Sequence, residues 1–366
     1  GCGLPMFEAS YYGCPVIAPA WSGQMDYLQV PVKDKNGKEK LKVMCAKIDY
    51  ELKPIQNEAV WDGVLDKNSS WAFPSHLSYK NKLREVYKDH NRFKSQAKKL
   101  QTWVLDNFKD EQKYEEFTSC IIETYCAQFR DSAGYGVAAR GYLKALEEYL
   151  KKNPDAFNLK LYSSVVSQSD KLTTNEISLI EKYEFLNDKD IESMIPQDYV
   201  FIWHMPPPLI TFGDDRFHPS PNCSPKMLRL INNAKHNVNL VAWEVDNLPP
   251  EWILDYRYFK PSMIITPSKW NAEVFVEKTN LPCEIVPHVI EKLSEKETPV
   301  RIPVDLDDKF VVLAISQWTK RKGFDRLIKS FITEFDGNDD AVLLIKTYAS
   351  HTHTPEMIQQ EIKHIR

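Results

Sequence analysis

Two short stretches, far apart in the chain, carry residue types suited to binding phosphate and a sugar diol. The first, Gly1-Cys2-Gly3-Leu4-Pro5-Met6-Phe7-Glu8, reads as a glycine-rich turn running into a helix that starts at Pro5. Proline's fixed φ suits the first helical position. Such a turn leaves the amides of Cys2, Gly3 and Leu4 without an intrahelical acceptor, which makes an anion site at a helix N-terminus. Glu8 stands one turn further in, where its carboxylate can accept from a ribose diol at about 1.5–3 kcal/mol per charge-assisted bond. The second stretch runs from Ile315-Ser316 through Gln317 to Lys320-Arg321-Lys322-Gly323 and then a helix from Phe324. Its cations lie where the helix dipole also favours an anion. The features of the first stretch together describe a pocket for a nucleotide diphosphate. An ordinary βα corner and a solvated basic turn are the plainer alternatives.

Other residues fall where strands end. Gly134 and Gly136 lie between a strand and a helix and allow close approach of backbone to a ligand, although one Gly-x-Gly is weak evidence. His204 ends an apolar run and precedes Met205-Pro206-Pro207-Pro208. Ligands of open α/β sheets bind beyond the C-terminal strand ends, so His204 is a candidate, against a histidine satisfied by local backbone. Glu244 is an acceptor-side candidate or a surface ion-pair partner, and Thr347 follows the strand Val342–Lys346. No Asp-x-Asp pair with metal-ligand spacing stands in the candidate cleft.

The elements that must position these residues fall into three blocks, 1–125, 126–300 and 301–366. In the first, the spacing predicts a helix at Pro5, a left-handed cap at Gly13, and a strand at Pro15–Pro19. Trp71-Ala72-Phe73-Pro74 resembles a loop of the family named below, its tryptophan packing or stacking on sugar, and a helical run extends from Tyr79 through Val104 to Tyr114–Tyr125. The second block predicts strands at Cys126–Phe129, Leu159–Tyr162, Tyr199–Trp203, Val238–Ala242, Met263–Thr266 and Glu284–Val286. The first of these leads to a helix at Val137–Leu150, and the alternation of strands with helical stretches predicts a parallel sheet. The third block predicts a strand at Phe310–Ser316 and a helix with Phe324, Leu327, Ile328, Phe331 and Phe335 on one stripe. The strand Val342–Lys346 and a helix from Pro355 complete it.

Several of these stretches resemble one family. Gly3-Leu4-Pro5, Glu8-Ala9, Gly13 and Pro15-Val16-Ile17-Ala18 are similar to the Glu–seven residues–Glu motif of retaining GT-B glycosyltransferases, the family 4-like "glycosyl transferases group 1". Ser132-Ala133-Gly134-Tyr135-Gly136, Trp243-Glu244, Thr266-Pro267-Ser268 and Val286-Pro287-His288 resemble landmarks of that family's N-terminal domain, in its order. The resemblance implies an α/β fold of GT-B type, two Rossmann-like domains with parallel sheets and an interdomain cleft. It implies that Glu8 holds the ribose, and that Gly3 and Leu4 bind phosphate or sugar by backbone, since Pro5 has no N–H. Lys322 would steady the departing diphosphate. The family's partner arginine falls at Gln317, so Arg321 would have to substitute. His204 would line the sugar side or polarise the acceptor hydroxyl, Thr347 and Tyr348 would meet the base, and His288 would be structural.

The order of blocks is that of a C-domain's second half, an N-domain and a C-domain's first half. This implies either a junction between two tandem glycosyltransferase modules or a permuted enzyme. The family's first glutamate would fall just before Gly1, and about 50 residues of further βα units would be needed to complete one domain. The expected activity is metal-independent transfer of a hexose from a nucleotide diphosphate sugar to a hydroxyl of a glycan, lipid or protein-linked sugar, with retention and no cofactor. Whether this piece is active alone stays open. A non-catalytic sugar-nucleotide or glycan binding module is the alternative, favoured by Gln317.

Composition sets the bounds. With 366 residues and 43% hydrophobic content the chain can fill two or three cores. A formal charge of −4 argues against nucleic acid held by bulk electrostatics. Seven scattered cysteines without zinc-knuckle spacing argue against a disulfide framework or structural zinc and suit a cytoplasmic protein. No apolar run reaches the length of a membrane span.

Overall fold

The computed structural model describes residues 3–35, 37–60, 65, 67–108, 124–131, 134–164, 172–185, 188–194, 198–213, 216–221, 223–289, 306–335, 337, 340–347 and 354–365. Gly1, Cys2, residues 114–123 of the expected Tyr114–Tyr125 helix, Ser132, Ala133 and Tyr348 lie outside them. The chain divides into two compact units. One holds the described residues of Trp61–Ser69 and Phe108–Glu291, the other those of Gly3–Val60, Ser70–Asn107 and Lys292–Arg366.

The Phe108–Glu291 unit is built on a six-stranded parallel sheet. From one edge its strands are Lys160–Ser163, Thr124–Ala127, Val200–His204, His236–Leu240, Met263–Thr266 and Cys283–Ile285. Chain order reverses between Thr124–Ala127 and Val200–His204, with Ala127 paired to His204 at the C-terminal end. Both central strands are almost wholly buried, as strands of a covered parallel sheet must be. The helix Gly134–Lys152 lays Ala138, Ala139, Tyr142, Leu143 and Leu146 against Tyr125, Leu161, Ile202, Val238, Leu240 and Ile265 to make the core. Two boundaries differ from the sequence expectation. The helix begins at Gly134, not Val137, and the strand ends at Ala127 because Phe129 and Arg130 form a turn. Arg140 fastens that turn, giving Nη1 to the carbonyls of Phe129 (2.9 Å) and Asp131 (2.6 Å) and Nε to Glu176 (2.9 Å). An antiparallel hairpin, Ile210–Gly213 with Arg216–Pro219, follows the strand Val200–His204 and was not foreseen.

The other unit gathers segments from both ends of the sequence. The strands Phe310–Ile315 and Ala341–Lys346 pair in parallel, as do Ile17–Pro19 and Ala46–Ile48. The helix Phe324–Glu334 packs on His76–Lys88. Arg84 binds the carboxylate and the backbone carbonyl of Glu334, Lys80 approaches the same carboxylate at 3.7 Å, and Tyr87 meets Phe310 and Phe335 edge-on at 5.2 and 5.4 Å. Phe310 also packs with Ile17, Ala46, Val86 and Phe93. Trp71-Ala72-Phe73-Pro74 is a strand rather than a loop: Ser70–Pro74 pairs antiparallel with Tyr50–Pro54, and Trp71 is buried, which selects packing over sugar stacking. The helical run from Tyr79 breaks at Asp89 into His76–Lys88 and His90–Asn107. Among the described residues no helix is long and apolar enough to cross a membrane.

Candidate functional site

In the unit containing Gly3 and Lys346, the opening turn has the geometry its residues demand. Gly3 is left-handed (φ 69°, ψ 57°), a conformation glycine adopts without steric cost. Its carbonyl accepts from Met6 N (2.9 Å), Phe7 N (3.2 Å) and the Tyr27 hydroxyl (2.9 Å). Tyr27 is buried and meets Phe7 edge-on at 4.9 Å, so a core residue sets the turn. The helix runs Leu4–Tyr11 with Pro5 in its first turn, and the first amides of a helix have no intrahelical acceptor. Gly13 is left-handed (φ 73°), as expected after the helix end.

Glu8 is exposed as a residue, yet its carboxyl is partly enclosed. Desolvation raises its pKa above the ordinary 4.5, and the Lys346 ammonium opposes that shift. The cation that acts on Glu8 is Lys346, the last residue of Ala341–Lys346. Sequence reading did not single it out, although it adjoins Thr347. The Oγ1 atoms of Thr347 and Thr319 are enclosed and have no hydrogen-bond partner among the described residues.

The basic stretch Lys320–Lys322 is one 3-10 turn closed by Lys322 N to the Thr319 carbonyl (3.0 Å). Gly323 is left-handed (φ 67°) and hands the chain to the helix Phe324–Glu334. Trp318 and Phe324 stack face to face at 4.6 Å across the turn, both buried, and Trp318 Nε1 donates to Glu361 at 2.8 Å. A buried aromatic pair thus holds the two ends of a turn whose Lys320 and Lys322 are exposed. Gln317 is half-buried beside it, and the Arg321 side chain lies outside the described residues.

In the six-stranded unit, candidates gather near the C-terminal strand ends where chain order reverses, the place where open α/β sheets bind ligands. Gly136 is needed by the protein itself. A Cβ there would stand 2.1 Å from the Asp131 carbonyl oxygen and 2.9 Å from that of Gln128. Gly134 has open space around it. Tyr135 donates to the Ala242 carbonyl (2.7 Å) and accepts from Ala242 N (3.1 Å), and Glu244 acts on its phenol electrostatically.

His204 holds the strand end as expected, but its side chain is enclosed, 1% exposed, among Tyr125, Tyr135 and Tyr142. Burial first, and then His288, hold its pKa well below the ordinary 6.5. His288 sits 3.3 Å from the Tyr142 hydroxyl, and burial pushes it down to about 4.

Three polar residues escaped sequence reading because their positions look like core. Tyr125, expected as the last residue of the helical run, lies instead in the strand Thr124–Ala127; Asn239 is also within a strand, and Asp255 shares a helix stripe with Trp252, Tyr256 and Phe259. Asn239 Nδ2 donates to the carbonyls of Trp203 (2.9 Å) and Met205 (3.2 Å), while its Oδ1 accepts from Tyr256 (2.7 Å). Asp255 accepts from the amides of Leu209 and Ile210, and Ser220 donates to the Pro208 carbonyl. The backbone after His204 is thereby tied down along its length. Among the described residues no group of three or more His, Cys, Asp or Glu side chains is arranged to hold a metal ion. No family model matches the chain, and no curated protein matches it.

Proposed function

We propose that the chain belongs to a retaining GT-B glycosyltransferase that moves a hexose from a nucleotide diphosphate sugar to an acceptor hydroxyl. The reading is supported by the Lys346 ammonium acting electrostatically on the Glu8 carboxyl. An acid one turn into a helix led by a left-handed glycine lies within electrostatic reach of a cation at the C-terminal end of a parallel strand, though the two come from opposite ends of the sequence. An acid for a ribose diol and a cation for phosphate are what a nucleotide diphosphate requires.

In this reading Glu8 accepts from the ribose, Gly3 and Leu4 offer backbone amides, and Thr347 and Gln317 lie toward the nucleotide. Lys322, with Arg321, steadies the charge that develops as the glycosidic bond to diphosphate breaks. The six-stranded unit, with Gly134, His204 and Glu244 toward its C-terminal strand ends, is read as the acceptor-side domain. Residues 3–107 and 306–365 fall largely into one unit, as halves of the same kind of nucleotide-sugar domain would whether they come from tandem modules or from one permuted enzyme. Gln317, in place of the family's arginine, favours a second reading in which the site binds the donor without turning it over.

Calorimetric titration with uridine, guanosine and adenosine diphosphates tests the site. One of them is expected to bind, and Glu8→Gln to weaken it about 10- to 100-fold, the equivalent of a charged hydrogen bond. The 2′,3′-dideoxy analogue should bind wild type weakly and lose little more in the variant. An equal loss for both nucleotides, or no binding of any, refutes the ribose assignment. Radiolabelled transfer from the matching sugar nucleotide then separates enzyme from binding module.

A further inference from the structure

The strands Gln29–Lys33 and Glu39–Val43 pair as an antiparallel hairpin. Its inner strand is held, with Val30 and Val32 half-buried, and Gln96 of the helix His90–Asn107 donates to the Val43 carbonyl at 3.4 Å. The outer strand is exposed from Glu39 through Lys42. Asp34 fixes the turn, accepting from Lys38 N (3.0 Å) and lying 3.3 Å from the Lys40 ammonium. Lys33, Lys35, Lys38, Lys40 and Lys42 are all exposed, and the same stretch holds two acids, Asp34 and Glu39. The helix beside it adds exposed Lys94, Lys98 and Lys99, with Asp106 as its one acid. This basic surface stands on a chain whose formal charge is −4.

Lysines on an exposed edge strand keep it from pairing with other chains. That role has no use for an apolar side chain in solvent beside them. Yet Leu41, between Lys40 and Lys42, is 67% exposed, the most exposed large apolar side chain among the described residues. Pro31 is paired directly across from it and is exposed as well, so the two share one face of the hairpin, together with Lys33. Aliphatic groups set among lysines fit a partner that is anionic at its surface and apolar just beneath, which is a phospholipid bilayer. Nucleic acid offers the charge without the apolar layer, and residues 29–43 hold no aromatic side chain to stack on a base. We infer that the strands Gln29–Lys33 and Glu39–Val43 dock the chain on an anionic membrane surface, with the lysines on the headgroups and Leu41 in the layer beneath. The inference does not rest on the glycosyltransferase reading.

Co-sedimentation of the full chain with lipid vesicles is the test. Binding is expected to phosphatidylcholine vesicles holding about 30% phosphatidylglycerol and not to pure phosphatidylcholine, and it should weaken more than about tenfold between roughly 0.05 and 0.5 M salt. Lys33→Gln, Lys38→Gln and Lys42→Gln together should weaken it about 100-fold, at about fivefold per lysine. Leu41→Ser should weaken it about tenfold. Leu41→Trp, whose ring favours the membrane interface, should tighten it. Opposite signs at one position are a result that misfolding cannot produce. Absence of binding to the anionic vesicles overturns the inference, and so does binding that the triple lysine variant keeps. A short DNA duplex bound as tightly as the vesicles, with Leu41→Ser and Leu41→Trp both without effect, overturns the membrane in favour of nucleic acid. Sugar transfer is not read in this assay, so docking and the proposed activity stand or fall separately.

Discussion

Asp255→Asn should remove a pH-dependent cost that this protein carries in its interior. The Asp255 side chain is fully buried on the helix Pro250–Phe259 and accepts from the amides of Leu209 and Ile210. Desolvation raises its pKa from 3.8 to about 7, and the two backbone bonds pull the other way. Cys223 and Tyr256 are its charge-sensitive neighbours. The folded carboxyl therefore holds a proton that the unfolded chain has already released, so stability falls as pH rises from about 4 to about 7 and is level above that. At about 1.4 kcal/mol per pH unit between the two values, the whole window is worth about 4 kcal/mol. Integrating the same linkage from pH 5 to pH 8 gives about 2.5 kcal/mol. Asparagine does not titrate. It keeps one acceptor oxygen, turns an NH₂ toward the second backbone amide, and pays about 1–3 kcal/mol at every pH for that mismatch. Urea unfolding of both proteins at pH 5 and pH 8 is the assay. Contributions from His204, His288 and other titrating groups are common to both and cancel in the difference. The variant is expected to be the less stable protein at pH 5 and to close the gap by about 2.5 kcal/mol at pH 8. A difference that stays constant across that range would show that Asp255 is ionised in the folded state, and the argument from burial would be wrong.

Two further substitutions test the packing that positions the candidate residues. Gly136→Ala sets a methyl against the Asp131 carbonyl at 2.1 Å and should cost at least about 1–3 kcal/mol by forcing backbone apart, with Arg140 losing its carbonyl partners; a melting temperature equal to wild type would contradict the close approach. Arg84→Ala leaves the Glu334 carboxylate, 9% exposed, with the more distant Lys80 as its cation among the described residues. It should cost about 1.5–3 kcal/mol in the unit built from both chain ends, read by urea unfolding, and Glu334→Ala should cost no more in the Arg84→Ala background than alone.

The parts of this protein that the sequence exposes are those where backbone conformation or periodicity leaves one residue type little choice. Gly3, Gly13 and Gly323 take positive φ at the positions their turns require, and the apolar runs Val200–His204 and Met263–Thr266 enter a parallel sheet as their composition dictates. Legibility ends where one signal has two causes. Trp71 and Phe73 suit a sugar-stacking loop as well as a strand; the pairing of Ser70–Pro74 with Tyr50–Pro54 decides it, and that pairing is a property of two segments rather than one. Gly136 advertises close approach without saying to what, and the neighbour is the chain's own Asp131 carbonyl. Lys346, Asn239 and Asp255 sit at positions that pattern assigns to strand or core, and Tyr125 at one that it assigns to a helix end. Their chemistry arises from partners 17 to 79 residues away, or, for Glu8 and Lys346, from opposite ends of the chain. A buried polar group is stable only when such a partner arrives, so a polar residue on an apolar stripe implies a bond that sequence cannot locate. For His204 this matters most. The strand end that makes it a candidate is legible from the apolar run before Met205, whereas its Nδ1 lies 2.6 Å from the hydroxyl of a tyrosine on the neighbouring strand, and that register appears only once Ala127 is paired with His204.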